Sequence, residues 1–190
     1  MFSKIYRRIK IELARRVGPV MVNGYKNPNG EIVKHTRYGS TTYFQGVENT
    51  KIGDHVYIAQ HCFIDGSRGL KIDEGCQICS FVSILTHSSH LSIRLYGSEY
   101  KGSDMKGYVV GATEIGAYTF VGPYVTIMPG STIGKGSIIS AYAYVKGTFQ
   151  DYAIIAGNPA KVVGDTRELD APYLEKHPEL LTYYNNWSHG

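Results

Sequence analysis

The feature that most constrains this chain is an aliphatic residue recurring every six positions. From Ile115 the series runs through Val121, Ile127, Ile133, Ile139 and Val145. Upstream the same step gives Ile52, Ile58 and Ile64 and, after a slip of two residues, Ile72, Ile78 and Ile84; Val109 reads as an extension of the downstream series. Four residues after each aliphatic position, strand alternation returns a side chain to the interior. There stand Val56, Cys62, Cys76, Val82, Ser88, Thr113, Thr119, Val125, Ser131, Ser137 and Ala143, all small or β-branched, with Arg68 and Phe149 as the exceptions. Gly53, Gly116, Gly122 and Gly134 directly follow the aliphatic residue, where a sharp corner favours a residue without Cβ. The period therefore means short strand, turn, short strand, turn. Such units bury their apolar side only by coiling and stacking on their neighbours, which predicts an all-β solenoid with three six-residue sides per coil.

Composition narrows the remaining possibilities. A length of 190 residues, 43% hydrophobic and 19% charged, fits one globular domain. The net charge of +4 helps with phosphorylated ligands, but it falls short of a nucleic-acid-binding footprint. Three cysteines cannot close a disulfide framework, and the chain has neither a signal-peptide core nor an apolar span of ~20 residues, so a cytoplasmic location is expected. Residues 1–50 are read as an N-terminal cap and 51–164 as the β-helix, with an excursion loop at about 88–108; residues 165–190 form a helical tail interrupted at Pro172 and Pro178. Within the cap, residues 1–16 form a basic amphipathic helix with Ile5, Ile9 and Leu13 near one stripe. Packing on the solenoid is the first reading of that stripe, and weak contact with a membrane surface the second. Residues 17–50 are aromatic and turn-rich, predicting irregular strands over the first coil.

Chemistry concentrates where the period breaks. His87 lies in Thr86-His87-Ser88-Ser89-His90, beside an inward Ser88, so alternation points it outward next to the loop. An imidazole titrates near neutral pH and suits a general base. Asp65 sits one coil earlier on the same side, one strand spacing of ~4.8 Å away. It either meets a ligand or satisfies turn amides. His55 and His61 are one repeat apart and so fall on different sides, which weakens a metal reading. Cys76 and Cys79 form a single CxxC whose first member belongs to the inward column, so both are read as structural. Near the end of the repeats, Gly157-Asn158-Pro159-Ala160-Lys161 marks a turn followed by a cation.

Over roughly residues 47–165 the sequence resembles the left-handed parallel β-helix, hexapeptide-repeat acyltransferases. The left hand comes from that resemblance, since ordinary crossovers favour the right. It implies an acetyl-CoA-dependent O-acetyltransferase acting on a sugar hydroxyl in capsule, lipopolysaccharide or related glycan biosynthesis. His87 takes the role of catalytic base by matching the first histidine of the family's His-x-x-His, with His90 as fallback, and Asp65 that of a residue hydrogen-bonding the acceptor. Gly157, Pro159 and Lys161 match the terminal signature that contacts coenzyme A; Lys146 is a second cation, and Ala141 with Ser140 and Ala143 leaves room for a pantetheine arm. Family members are homotrimers and need no metal. The rival is N-acetylation of an amino sugar, free or nucleotide-linked. A zinc hydratase of the carbonic anhydrase type and a non-catalytic scaffold are readings from other classes.

Overall fold

The computed structural model describes Ile9 and residues 16–189. The expected helix over residues 1–16, and with it the membrane-contact reading, lies outside the described residues. No helix among the described residues is long and apolar enough to cross a membrane.

The six-residue period folds as a parallel solenoid with three faces. The first face stacks strands at 32–39, 57–58, 77–78, 120–121, 138–139 and 153–157; the second stacks 43–45, 63–65, 83–84, 126–127 and 144–145; the third stacks 50–52, 70–72, 113–115, 132–133 and 148–149. Successive turns pair in register, so that Ile58 lies on Ile78, Ile64 on Ile84, Ile84 on Ile127 and Ile127 on Val145. The aliphatic columns fill the interior with Ile52, Ile58, Ile64, Ile78, Ile84, Ile115, Ile127 and Ile139, all fully buried. Each such side chain contributes about 1.5–3 kcal/mol by leaving water, and this replaces the stability that two-residue strands could not supply alone.

The solenoid begins earlier than residue 51. Tyr38 pairs with Ile58, Phe44 with Ile64 and Ile52 with Ile72. The first turn is therefore a full coil in which aromatic rings hold two aliphatic positions, and it is covered by a hairpin of Met21–Lys26 with Ile32–Gly39. Asn27, itself buried, closes the open edge of the third face: its side chain donates to the Ile52 carbonyl and accepts from the Ile52 amide, both at 2.8 Å.

The apparent exceptions in the small column have simple causes. The third side of the early turns is two residues longer, so Leu70 takes the interior place and Arg68 is exposed. The last turn is two residues shorter, which puts Phe149 opposite Ile133 in the aliphatic column. Val109 is not part of the coil, because Val109–Val110 pairs antiparallel with His87–Ser88 at the base of the excursion. Ser88 is accordingly half-buried on that hairpin and not in the core. The excursion is itself ordered, with a short helix at Ser92–Tyr96.

The glycines after the aliphatic residues serve close packing more than turning. A Cβ on Gly53 would come within 2.5 Å of the Glu74 amide nitrogen, and one on Gly116 within 2.5 Å of that of Lys135. Left-handed φ is instead adopted by His55, His61, Phe81, Tyr118, Tyr124, Tyr142 and Tyr152. At the far end, Ala160–Asp165 folds back antiparallel on Ala153–Gly157. A helix then runs through Pro172 without interruption from Thr166 to Lys176, its start capped by the Asp165 side chain. A second helix at Leu181–Ser188 lies on the solenoid through Trp187, which packs against Tyr118 and Tyr152.

Candidate active site

The edge between the second and third faces is where the third turn opens. After Ile84 the chain keeps its alternation for three more residues: Thr86 points inward and is fully buried, while His87 points outward with 27% of its side chain exposed. The departing strand then forms the two-residue hairpin with Val109–Val110, and at Thr113–Ile115 the coil resumes in register on Leu70–Ile72.

Behind the imidazole sits Asp65, 0% exposed. Its Oδ2 lies 2.8 Å from His87 Nδ1 and accepts from the Thr86 amide and hydroxyl, both at 2.9 Å. Its Oδ1 accepts from the Ser67 amide at 2.9 Å and from the Ser67 hydroxyl. Ser67 Oγ also reaches His87 Nδ1 at 3.1 Å. Burial disfavours the charge of Asp65, but hydrogen bonds from the Ser67 hydroxyl, the Thr86 and Ser67 amides and the Thr86 hydroxyl outweigh it and hold the carboxyl below its usual range. The Ser67 hydroxyl spends its proton on Asp65 Oδ1, so Ser67 Oγ accepts from His87 Nδ1, which therefore carries a proton and leaves Nε2 its lone pair. Tyr108 from the returning strand stacks on the imidazole, centroids 5.7 Å apart at 12°, and burial raises the pKa of its phenol.

The proximity of Asp65 and His87 follows from the coil spacing. Of the two expectations for Asp65, the structure shows the hydrogen bonds of the second: it has no exposed surface, and its oxygens accept from the amides and hydroxyls of Ser67 and Thr86. Ser67, Thr86 and Tyr108 complete the arrangement and had no sequence signal beyond lying near a broken period. His90 stands apart: exposed, with Nδ1 2.9 Å from Ser88 Oγ and no carboxylate beside it.

The remaining candidates divide between edges. Lys146 stacks on Met128 and Leu85, since Met128 donates to the Val145 carbonyl and Leu85 to that of Ile127. It is therefore on the His87 edge, two turns away and exposed. Ala141 is exposed at the corner between the first and second faces. Gly157, with φ 100°, Pro159 and Lys161 belong to the hairpin closing the first face. Within one chain these four do not meet His87. His55, His61 and His87 lie on three different edges, so the chain does not gather them around one metal. Cys76 is fully buried, its Sγ on the Gly116 carbonyl, and burial pushes its thiol up to about 12. This is the environment of a structural, unreactive cysteine.

The bacterial transferase hexapeptide family (six repeats) matches residues 112–147. The match falls on the later turns of the solenoid, after the excursion. Its fold is similar to that of a galactoside acetyltransferase in complex with coenzyme A, at 25% identity over 68% of this chain and 62% of that one, TM-score 0.57. A maltose O-acetyltransferase from Clostridium difficile 630 is 21% identical over 66% of this chain and 64% of that one, TM-score 0.58. AntD, an N-acyltransferase from Bacillus cereus in complex with dTDP and 3-hydroxybutyryl-CoA, is 17% identical over 75% of this chain and 88% of that one, TM-score 0.52. The chain thus spans less than two thirds of each of the two sugar acetyltransferases.

Proposed function

We propose that this protein is an acetyl-CoA-dependent acetyltransferase whose acceptor is a sugar hydroxyl and whose general base is His87. The observation that carries this reading is the buried Asp65 carboxylate on His87 Nδ1, 2.8 Å away, at the mouth of the excursion. Acetyl-CoA supplies an acetyl group activated as a thioester. His87 Nε2 takes the hydroxyl proton as that oxygen attacks the carbonyl carbon, and the imidazolium returns the proton to the sulfur as the C–S bond breaks. Asp65 fixes the tautomer and stabilises the imidazolium while it exists. No acyl-enzyme or metal enters the balance.

The donor's phosphates call for cations. Lys146 and Lys161 are both exposed, and among the described residues neither is ion-paired. Their separation from each other and from His87 supports a site completed between subunits of a homotrimer, in which one chain's His87 faces the later turns of the next. Use of coenzyme A favours a cytoplasmic enzyme, and glycan biosynthesis is the setting that a sugar acceptor favours.

The second reading, transfer to the amine of an amino sugar, draws on the N-acyltransferase that shares the fold. Release of free coenzyme A, measured with paired hydroxyl and amino acceptors, separates the two: turnover on hydroxyl sugars is expected, and turnover on amines alone overturns the O-acetylation reading. Failure of acetyl-CoA to bind or turn over with either overturns both.

A further inference from the structure

We propose that His35, Asp54 and His55 form a second site, which binds a divalent transition-metal ion of the zinc class where the third face turns into the first. His35 and His55 are one turn of the solenoid apart, and their rings stack at 4.5 Å and 5°. Asp54 joins them: its Oδ2 is 2.8 Å from His35 Nδ1, and its Oδ1 accepts from the His35 amide at 2.8 Å and the His55 amide at 2.9 Å. One ligand atom from each of the three residues can be chosen so that all lie within 4.8 Å of one another. Small side-chain rotations bring such a set onto one ion, since Zn–N and Zn–O bonds are ~2.0–2.2 Å.

The backbone prepares these residues for a metal. The amides of His35 and His55 hold Asp54 Oδ1, which keeps Oδ2 beside the imidazoles as the carboxylate ligand of the set. His55 is held over His35 by a left-handed backbone, φ 58°, the conformation that His61, Phe81, Tyr124 and Tyr142 also adopt at their corners.

The donor set selects the kind of ion. Two imidazoles beside a single carboxylate favour ions that gain affinity from nitrogen ligands over Ca²⁺ and Mg²⁺, which take oxygen ligands. A metal here ties the first described turn of the solenoid to the second. The site is on a different edge from His87, and acetyl transfer does not pass through it, so the two proposals stand or fall separately.

The test is calorimetric titration of the chelator-treated, full-length protein with Zn²⁺ alone, paired with thermal melts. The expected result is saturable uptake of one ion per chain and a melting temperature that rises with Zn²⁺. His55→Ala abolishes the uptake, as does His35→Gln, whose amide preserves a hydrogen bond to Asp54 and hence the fold; Asp54→Asn weakens it about 10–100-fold. His87→Ala takes up zinc like the unaltered chain, and Mg²⁺ gives no saturable signal. Absence of saturable zinc uptake, or uptake undiminished in His35→Gln and His55→Ala, overturns the proposal.

Discussion

Two edges of the same solenoid show how repetition and its interruption divide the labour. Between the first and second faces, His61, Phe81, Tyr124 and Tyr142 stack on consecutive turns, with centroids 5.1, 4.9 and 4.9 Å apart and planes within 16°. Every one of the four has a left-handed φ between 60° and 63°. Each such backbone costs about 1–2 kcal/mol, and each stacked pair returns about 0.5–1.5 kcal/mol beyond its buried area. The stacks therefore offset part of the strain, and that edge is chemically quiet. Between the second and third faces the stack breaks, a loop leaves, and Asp65, Thr86 and Ser67 gather around one imidazole. Uniform turns build the wall, and the single irregular turn can carry a reactive group because the regular turns on either side hold its ends in register.

If this division is right, the largest effect comes from the broken edge and involves activity alone. His87→Ala is expected to lower acetyl transfer by ~10²–10⁴-fold, with the melting temperature nearly unchanged, in a coenzyme A release assay alongside a thermal melt. Asp65→Asn should cost ~10–10³-fold, a part of what a general base contributes, and it should also change the acid limb of stability. Because the folded carboxyl is held below its usual range, the stability it confers is fully present above the unfolded pKa, ~3.9, and is lost as pH falls through the lower folded value. Urea unfolding across that range should show less loss for Asp65→Asn than for the unaltered chain.

The ladder edge should respond in the opposite way. Tyr124 stacks on both Phe81 and Tyr142, so Tyr124→Ala removes two stacks while keeping the unfavourable φ. It should destabilise by about 1–3 kcal/mol without altering kcat in the same assay. Tyr142→Gly removes one stack and relieves one strained φ, and should fall within about 1 kcal/mol of neutral. A kcat loss in either ladder variant that matched His87→Ala would end the distinction between the edges.

Much of this architecture is legible in the chain because a β-solenoid converts period directly into position. The aliphatic columns, the outward His87 and its nearness to Asp65 all follow from counting. The first turn is hidden by Tyr38 and Phe44 standing where isoleucine is the rule, and by its longer third side. That same two-residue lengthening makes the local coil twenty residues long, which is what brings His35 onto His55; the spacing of His55 and His61 alone does not reveal it. The burial of Asp65 is illegible because its side chain faces inward only when Ser67 and Thr86 are present to satisfy both oxygens. Hydrogen-bond closure of this kind depends on three dimensions and leaves no periodic trace.

The most direct test is a double-mutant cycle on acetyl transfer, comparing His87→Ala, Asp65→Asn and the combined variant under identical conditions. A base and the carboxylate that orients it act as one unit, so the combined variant should be about as slow as His87→Ala alone. Losses that multiply, with the double variant slower than His87→Ala by the full factor of Asp65→Asn, would contradict the pairing of Asp65 with His87 as the catalytic base.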